Sequence, residues 1–264
     1  MVSTSNEPTI NWASKFMHEQ TVEIITNDGV VPGYFYPPPQ KELRPAVIFY
    51  MDAFGIRPAL RDMAKRLAAG GYHVLLPNLY YRSGPTPIFN ATTAFNEGPE
   101  RERLTALFQS LNQKRVMADT ARFLKFLERQ PSVDSRHVGC VGYCMGGAFA
   151  LSAAGAFPDR IAAAASLHGA RLATDQPDSP HLLAAKMRAT VYVGIAGIDP
   201  HFTPEEKQRL ETALQLAGVR QAVEVYPGVK HGFAVNDTLA YDRPAAELHW
   251  EKILNLFATN LLAG

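Results

Sequence analysis

The apolar positions of the chain follow two alternating patterns. Short runs at residues 45–51 (PAVIFYM), 73–80 (HVLLPNLY), 137–143 (HVGCVGY) and 189–197 (ATVYVGIAG) are apolar almost throughout, which predicts strands buried on both faces. Between them lie stretches with helical spacing. Residues 58–71 read as a helix stopped by Gly70-Gly71, and residues 100–129 read as one long amphipathic stretch stopped by Pro131. Residues 145–157 (MGGAFALSAAGAF) form a small-residue helix, and the last predicted helix covers residues 244–262. Thr203-Pro204-Glu205-Glu206 is a helix start, with an N-cap candidate, Pro at the first position and acids in the first turn.

The segment 161–169 (IAAAASLHG) suits helix or strand by composition, and its place in the alternation argues for strand. Residues 222–228 (AVEVYPG) give another strand. The opening segment 21–39 reads as a hairpin around Asn27-Asp28-Gly29, and residues 83–100, with Pro85, Pro87, Gly98 and Pro99, read as loop. Strand and helix thus alternate after an opening hairpin. The pattern predicts an α/β fold: one mostly parallel sheet, helices on both faces and an antiparallel edge. The 264 residues, 47% of them apolar, suit a single domain over 1–264 with a sizeable core.

A formal net charge of +1 points to neither nucleic acid nor an anionic membrane as partner. The first residues lack an apolar signal-peptide region and no run is long enough to cross a bilayer, so a soluble cytoplasmic protein is expected. Two cysteines, Cys140 and Cys144, are too few for a disulfide scaffold or a zinc site. Along a strand they would stand roughly 13 Å apart, at about 3.3 Å per residue, beyond disulfide reach. At least one thiol is therefore free.

In an α/β sheet of this kind, ligands bind beyond the carboxyl ends of the strands. The residues that follow the predicted strands are Asp52-Ala53-Phe54, Tyr80-Tyr81-Arg82, Cys144, His168, Asp199 and His231. Cys144, Asp199 and His231 run in the order nucleophile, acid, base, the chain order of α/β-hydrolases. Gly142 and Gly146 flank Cys144 two residues either side, as a sharp strand-to-helix turn requires, and the following helix dipole favours a thiolate there. The amides of Met145 and Ala53 are the expected oxyanion donors. Each assignment has a plainer rival. Cys140, mid-strand, reads as a small buried hydrophobe. Asp199 could close a turn, with Asp175 then the fallback acid. His168 suits core packing and pocket lining equally, His201 reads as exposed, and Arg82 and Arg171 are either surface arginines or substrate contacts.

The ordered segments MDAFG, PNLYYRSGP, VGYCMGGAFAL, GIDPHFTP and KHGF are similar to those of the dienelactone hydrolase (carboxymethylenebutenolidase) family of α/β-hydrolases. The resemblance covers most of the chain, although the first dozen or so residues extend beyond the simplest members. It implies a Cys144–Asp199–His231 triad that hydrolyses a small ester or lactone through a thioester. It also implies an acidic residue, commonly Glu and here Asp52, that meets the resting thiol, and an arginine, here Arg82, that binds a substrate carboxylate. The family's second arginine is replaced by Val235, which weakens the case for an anionic dienelactone itself. Phe54 is expected in the pocket wall, and the 83–100 loop is expected to overhang the pocket. No metal or organic cofactor is implied, and both monomer and homodimer stay open. The alternatives are a general small-acyl carboxylesterase or thioesterase, and a ligand-binding homologue that has lost its chemistry.

Overall fold

The computed structural model describes residues 18–85 and 89–262. The expectations for the N-terminal extension and for Pro87 lie outside these residues. Among the described residues, eight strands form one sheet in the order β1-β2-β4-β3-β5-β6-β7-β8. β1 (Gln20–Ile25) and β2 (Val30–Tyr36) are the hairpin. They join antiparallel to the edge of a parallel array made of β4 (His73–Pro77), β3 (Arg44–Tyr50), β5 (Val133–Tyr143), β6 (Ile161–Leu167), β7 (Thr190–Ile198) and β8 (Gln221–Lys230). The central strands are those the sequence reads as continuously apolar: Ala46 to Tyr50 and Val138 to Tyr143 are buried throughout. The outer strands alternate or are exposed. Pro227 lies in the edge strand β8, a setting where a residue without an N–H costs the sheet little.

Among the described residues there are six α-helices, five between strands and one after the last: α1 (Pro58–Ala69), α2 (Pro99–Ser110), α3 (Gln113–Glu128), α4 (Met145–Ala156), α5 (Pro204–Leu216) and α6 (Arg243–Leu261). α5 starts with a complete capping box between Thr203 and Glu206, and α6 is capped by Asp242, which accepts from the Ala245 amide. The long stretch at 100–129 is two helices rather than one. Asn112 turns extended and accepts from the Arg115 amide, so its side chain starts a second helix at the point where the first ends. Periodicity alone cannot register a cap inside an amphipathic run. Two 3₁₀ turns, at Tyr81–Ser83 and Pro180–Lys186, also escape the sequence pattern.

Helices cover both faces, and β5 shows how closely they approach. Gly139 faces α6: a Cβ there would meet Leu261 Cδ1 and Phe257 Cε1 at 2.9 Å. Gly142, three residues on and therefore on the opposite face, meets α4, where an added Cβ would lie 1.9 Å from Gly146 O. Gly146 in turn lies against β3, with 2.4 Å between a Cβ and Tyr50 O. The start of α4 therefore rests directly on the backbone of β3 and β5.

This contact predicts a large effect from a small change. Gly142→Ala must displace backbone rather than a flexible side chain, so it should exceed the about 1–3 kcal/mol usual for an overpacked core. Urea denaturation would measure it. A loss below about 1 kcal/mol would mean that α4 can lift away from the sheet.

Candidate active site

Cys144 occupies the step from β5 into α4. Its φ of 55° and ψ of −121° lie in a region rarely used by side chains with a Cβ. The strain is held from several directions. The Cys144 amide donates to Leu167 O at 3.1 Å, and its carbonyl accepts from Gly147 N and Ala170 N at 3.1 and 3.2 Å. Gly147 lets α4 sit against Ser166 and Gly169 at the end of β6. The result is a thiol at the first turn of a helix, half-buried and facing a cavity of about 630 Å³. Both cysteines are free. Cys140 is fully buried and burial pushes its thiol far up, which leaves it a neutral apolar group.

His231 follows β8 and Asp199 follows β7, and these parallel neighbours bring the two together. His231 Nδ1 donates to Asp199 Oδ2 at 2.8 Å. The Asp199 side chain is 2% exposed, and its other oxygen accepts from the His201 amide at 2.8 Å, so the carboxylate is fixed at both ends. Gly232 has a φ of +97°, which turns the chain directly after His231. Burial alone would push the imidazole down. The charge of the adjacent Cys144 sulfur and the hydrogen bond with Asp199 outweigh it and raise His231 to about 10. His231 Nε2 has no hydrogen-bond partner among the described residues, so in this structure His231 is joined to Asp199 by a hydrogen bond and to Cys144 through charge.

Two further imidazoles flank His231. The ring of His168 lies 5.0 Å away and that of His201 4.9 Å away, both edge-on. His168 is 1% exposed with a φ of 38°, and neither ring nitrogen has a hydrogen-bond partner among the described residues. Burial and the neighbouring His231 hold it well below its ordinary value, so it is neutral. His201 is lowered for the same two reasons. It is exposed, as its sequence suggests, yet it lines the cavity, which the sequence gives no reason to expect.

Ala53 and Phe54 line the same cavity, and Met145 lines an adjoining cavity of about 520 Å³. The two cavities share Phe108, Ala170 and Arg171. Ala91, Thr92 and Phe95 from the 83–100 loop form part of the wall, as expected of an overhanging segment. The Ala53 and Met145 amides carry no hydrogen bond to another group among the described residues.

Two sequence expectations need correction. Arg82 does not line the cavity. It makes a two-pronged pair with buried Asp119 at 2.8 and 2.9 Å and also reaches Asp28, in a separate cleft between the hairpin turn and α3. A carboxylate as buried as Asp119 needs a cation, and Arg82 is used up in supplying it. Asp52 lines the cavity but makes no hydrogen bond to Cys144 among the described residues. Its two oxygens bind Arg57 Nη1 and Nη2 at 2.7 and 2.9 Å, and Oδ1 also accepts from the Phe54 amide at 3.0 Å. Arg57 continues to Asp237 with bonds of 2.6 and 2.8 Å. Arg57 follows Asp52 closely enough in DAFGIR to have suggested a pair, whereas Asp237 has no sequence signal. The cation that does border the cavity is Arg171, exposed, with a φ of 58° and its guanidinium 4.9 Å from the Phe108 ring centre. Asp175, the fallback acid, is on the surface with Arg209.

A strand–turn–helix elbow, with an aspartate and a histidine after later strands of one mostly parallel sheet, defines the α/β-hydrolase class. Within it the chain belongs to the dienelactone hydrolase family, whose model matches residues 31–261. The carboxymethylenebutenolidase of Pseudomonas putida is 29% identical over 245 residues, covering 92% of this chain and 97% of that protein. Among solved structures, a Klebsiella pneumoniae protein provisionally named a dienelactone hydrolase superposes with a TM-score of 0.81 at 23% identity, over 92% of this chain and 98% of that one. A dienelactone hydrolase-like promiscuous phosphotriesterase from metagenomic libraries gives 0.76 at 22% identity, over 93% and 99%. Among the described residues no helix is long and apolar enough to cross a membrane, and no cluster of three His, Cys, Asp or Glu could hold a metal.

The raised His231 makes a signed prediction for pH. Its folded value of about 10 lies above the ordinary 6.5, so between these values the folded protein keeps a proton that the unfolded chain has released. The stability this group contributes is complete below pH 6.5 and is lost as pH climbs through about 10. In urea melts, the advantage of the protein over its His231→Gln variant should shrink steadily across that window. A widening gap would contradict a charged His231 beside the sulfur.

Proposed function

We propose that this protein hydrolyses small carboxylic esters or lactones with Cys144 as nucleophile, through a thioester acyl-enzyme. The observation that carries the reading is the strained Cys144 lining the same cavity as His231, whose Nδ1 is held by Asp199 at 2.8 Å and whose Nε2 has no partner among the described residues. The thiolate adds to the substrate carbonyl, forming a C–S bond and moving the carbonyl electron pair onto oxygen. The Met145 and Ala53 amides receive that oxyanion. Its collapse breaks the C–O bond, and the leaving alkoxide takes the proton of the His231 imidazolium. Neutral His231 then accepts a proton from water, whose oxygen attacks the thioester. A second oxyanion collapses, the acid departs, and Cys144 is released as thiolate beside protonated His231. Asp199 keeps the imidazole oriented and balances its charge.

The wall of the cavity narrows the substrate. Phe54, Phe95, Leu104, Phe108, Val235 and Leu239 make most of it apolar, and Asp52 is paired with an Arg57 that Asp237 shares, so Arg57 is not free for a substrate carboxylate. This favours a neutral acyl portion, and with it the general small-acyl carboxylesterase reading, over a dienelactone held by two arginines. The adjoining cavity is more polar, with Asn112, Gln113, Arg171, Thr174 and Gln176, and suits a hydrophilic leaving group.

Cys144→Ala should abolish aryl-ester hydrolysis with little change in Tm, whereas Cys140→Ala should keep it. Intact mass spectrometry of a quenched reaction should find one acyl group on Cys144. Full activity in the alanine variant, or an acyl group on another residue, would exclude Cys144 as nucleophile. The arginines separate in a second comparison. Arg82→Ala should lose about 3 kcal/mol of stability, because Asp119 is left buried and unpaired. Its preference between neutral and carboxylate-bearing esters should not change. Arg171→Gln should raise KM for carboxylate-bearing esters several-fold and leave Tm alone. The reverse pattern would return the substrate contact to Arg82.

A further inference from the structure

The loop from Asp52 to Gly55 is closed by its own hydrogen bonds and its neighbours' almost group by group. Asp52 C=O accepts from the Gly55 amide at 3.2 Å, and the Phe54 amide donates to Asp52 Oδ1 at 3.0 Å. Ala53 C=O accepts from the Tyr80 hydroxyl at 2.8 Å, and Gly55 C=O accepts from Arg57 Nη1 at 3.2 Å. The Ala53–Phe54 peptide is therefore gripped on both sides, by Tyr80 at its oxygen and by the Asp52 carboxylate at its N–H. Among the described residues, the Ala53 N–H is left without an acceptor, and Ala53 borders the cavity that holds Cys144.

The grip extends beyond the loop. Arg57 is 2% exposed and binds two carboxylates in two-pronged fashion, Asp52 and Asp237. Asp237 follows His231 by six residues, in the turn where the Thr238 hydroxyl donates to Gly232 O and Val235 O. The Tyr80 hydroxyl also contacts Met145 Sδ at 3.6 Å, so it touches the residues that carry both candidate oxyanion amides. Tyr80 and Arg57 are buried at 0% and 2% exposure, and their hydrogen-bonding groups face this loop and its partners.

We propose that Asp52, Arg57, Asp237 and Tyr80 are positioning residues that hold the Ala53 amide as a preformed oxyanion donor and tie its loop to the loop of His231. The Asp52 carboxylate then acts on backbone geometry and not on the thiol. The chemistry fits. A donor aimed before the reaction spends nothing on reorganisation when charge develops, and a planar guanidinium can bridge two carboxylates in fixed directions where an ammonium cannot. The inference rests on the thioester reading above.

Two variants test it from opposite ends of the grip. Asp237→Asn weakens the half-exposed end of the Arg57 bridge, and Tyr80→Phe removes only the hydroxyl. Each is compared with the parent by aryl-ester kinetics, by Tm, and by the pH profile of iodoacetamide alkylation of Cys144. Alkylation attacks a saturated carbon and develops no carbonyl oxyanion, so it reports the thiol–imidazole pair alone. The expected result in both variants is kcat lower by about tenfold to a hundredfold, short of the full loss of a donor. KM should stay within about twofold and the alkylation profile should not move, with a similar loss in Arg57→Lys if it folds. If kcat stays within twofold in either folded variant, the grip is structural only. If the alkylation profile shifts together with kcat, the carboxylate acts on the thiol, and the proposal is wrong. Failure of the thioester reading is seen separately, as absence of an acyl group on Cys144 in the parent protein.

Discussion

The close approach of α4 to the sheet is the constraint on which the rest depends. Gly142 and Gly146 stand where any side chain would strike backbone, and between them Cys144 takes a conformation that only surrounding hydrogen bonds can sustain. That single crowded turn aims the thiol out of the sheet and sets the Met145 amide beside it. It also fixes where β6 must end, because Leu167 and Ala170 both bond to the Cys144 backbone. Each strand end that supplies a polar side chain is placed relative to this turn by the parallel register of β3, β5, β6, β7 and β8.

Around the turn, charge is managed by pairing at every depth. Asp199 is nearly sealed from solvent but has two hydrogen bonds, one from His231 and one from the His201 backbone. Asp52 and Asp119 are as deeply buried, and each is met by two guanidinium nitrogens of one arginine. The two arginines have separate tasks: Arg57 ties together the loops that border the cavity, and Arg82 ties the N-terminal hairpin to α3. What is left facing the cavity is mostly apolar, with neutral His168 and His201 on either side of His231. Keeping these neighbours neutral lets His231 alone bear positive charge next to the sulfur.

Much of this was readable from residue types. The strands appear because residues buried on both faces must be apolar, and the α5 start appears because Thr203 and Glu206 satisfy each other's backbone. The division between α2 and α3 did not appear, since Asn112 caps a helix inside a run whose periodicity never breaks. Among candidate site residues, Cys144, His231, Asp52, Ala53, Phe54 and His168 all border one cavity, Asp199 bonds to His231, and Met145 borders the neighbouring cavity. Arg82 was misread because nothing local reveals that Asp119, 37 residues later, is buried and needs it. The bridge that Arg57 makes was hidden in the same way, since Asp237 lies 180 residues along the chain from it, and nothing local shows that the Tyr80 hydroxyl reaches Ala53 O and Met145 Sδ.

The sequence by itself determined the class of fold, the family and the ordered thiol, acid and base, because each follows from local demands: hydrophobic period, glycine at a crowded turn, and polar residues at strand ends. Only the tertiary structure decided which charges are free. A carboxylate buried by the packing of distant elements takes the nearest guanidinium, since leaving it unpaired costs several kcal/mol. That competition removed Arg82 from the cavity, turned Asp52 toward Arg57, and left Arg171 as the cation at its border.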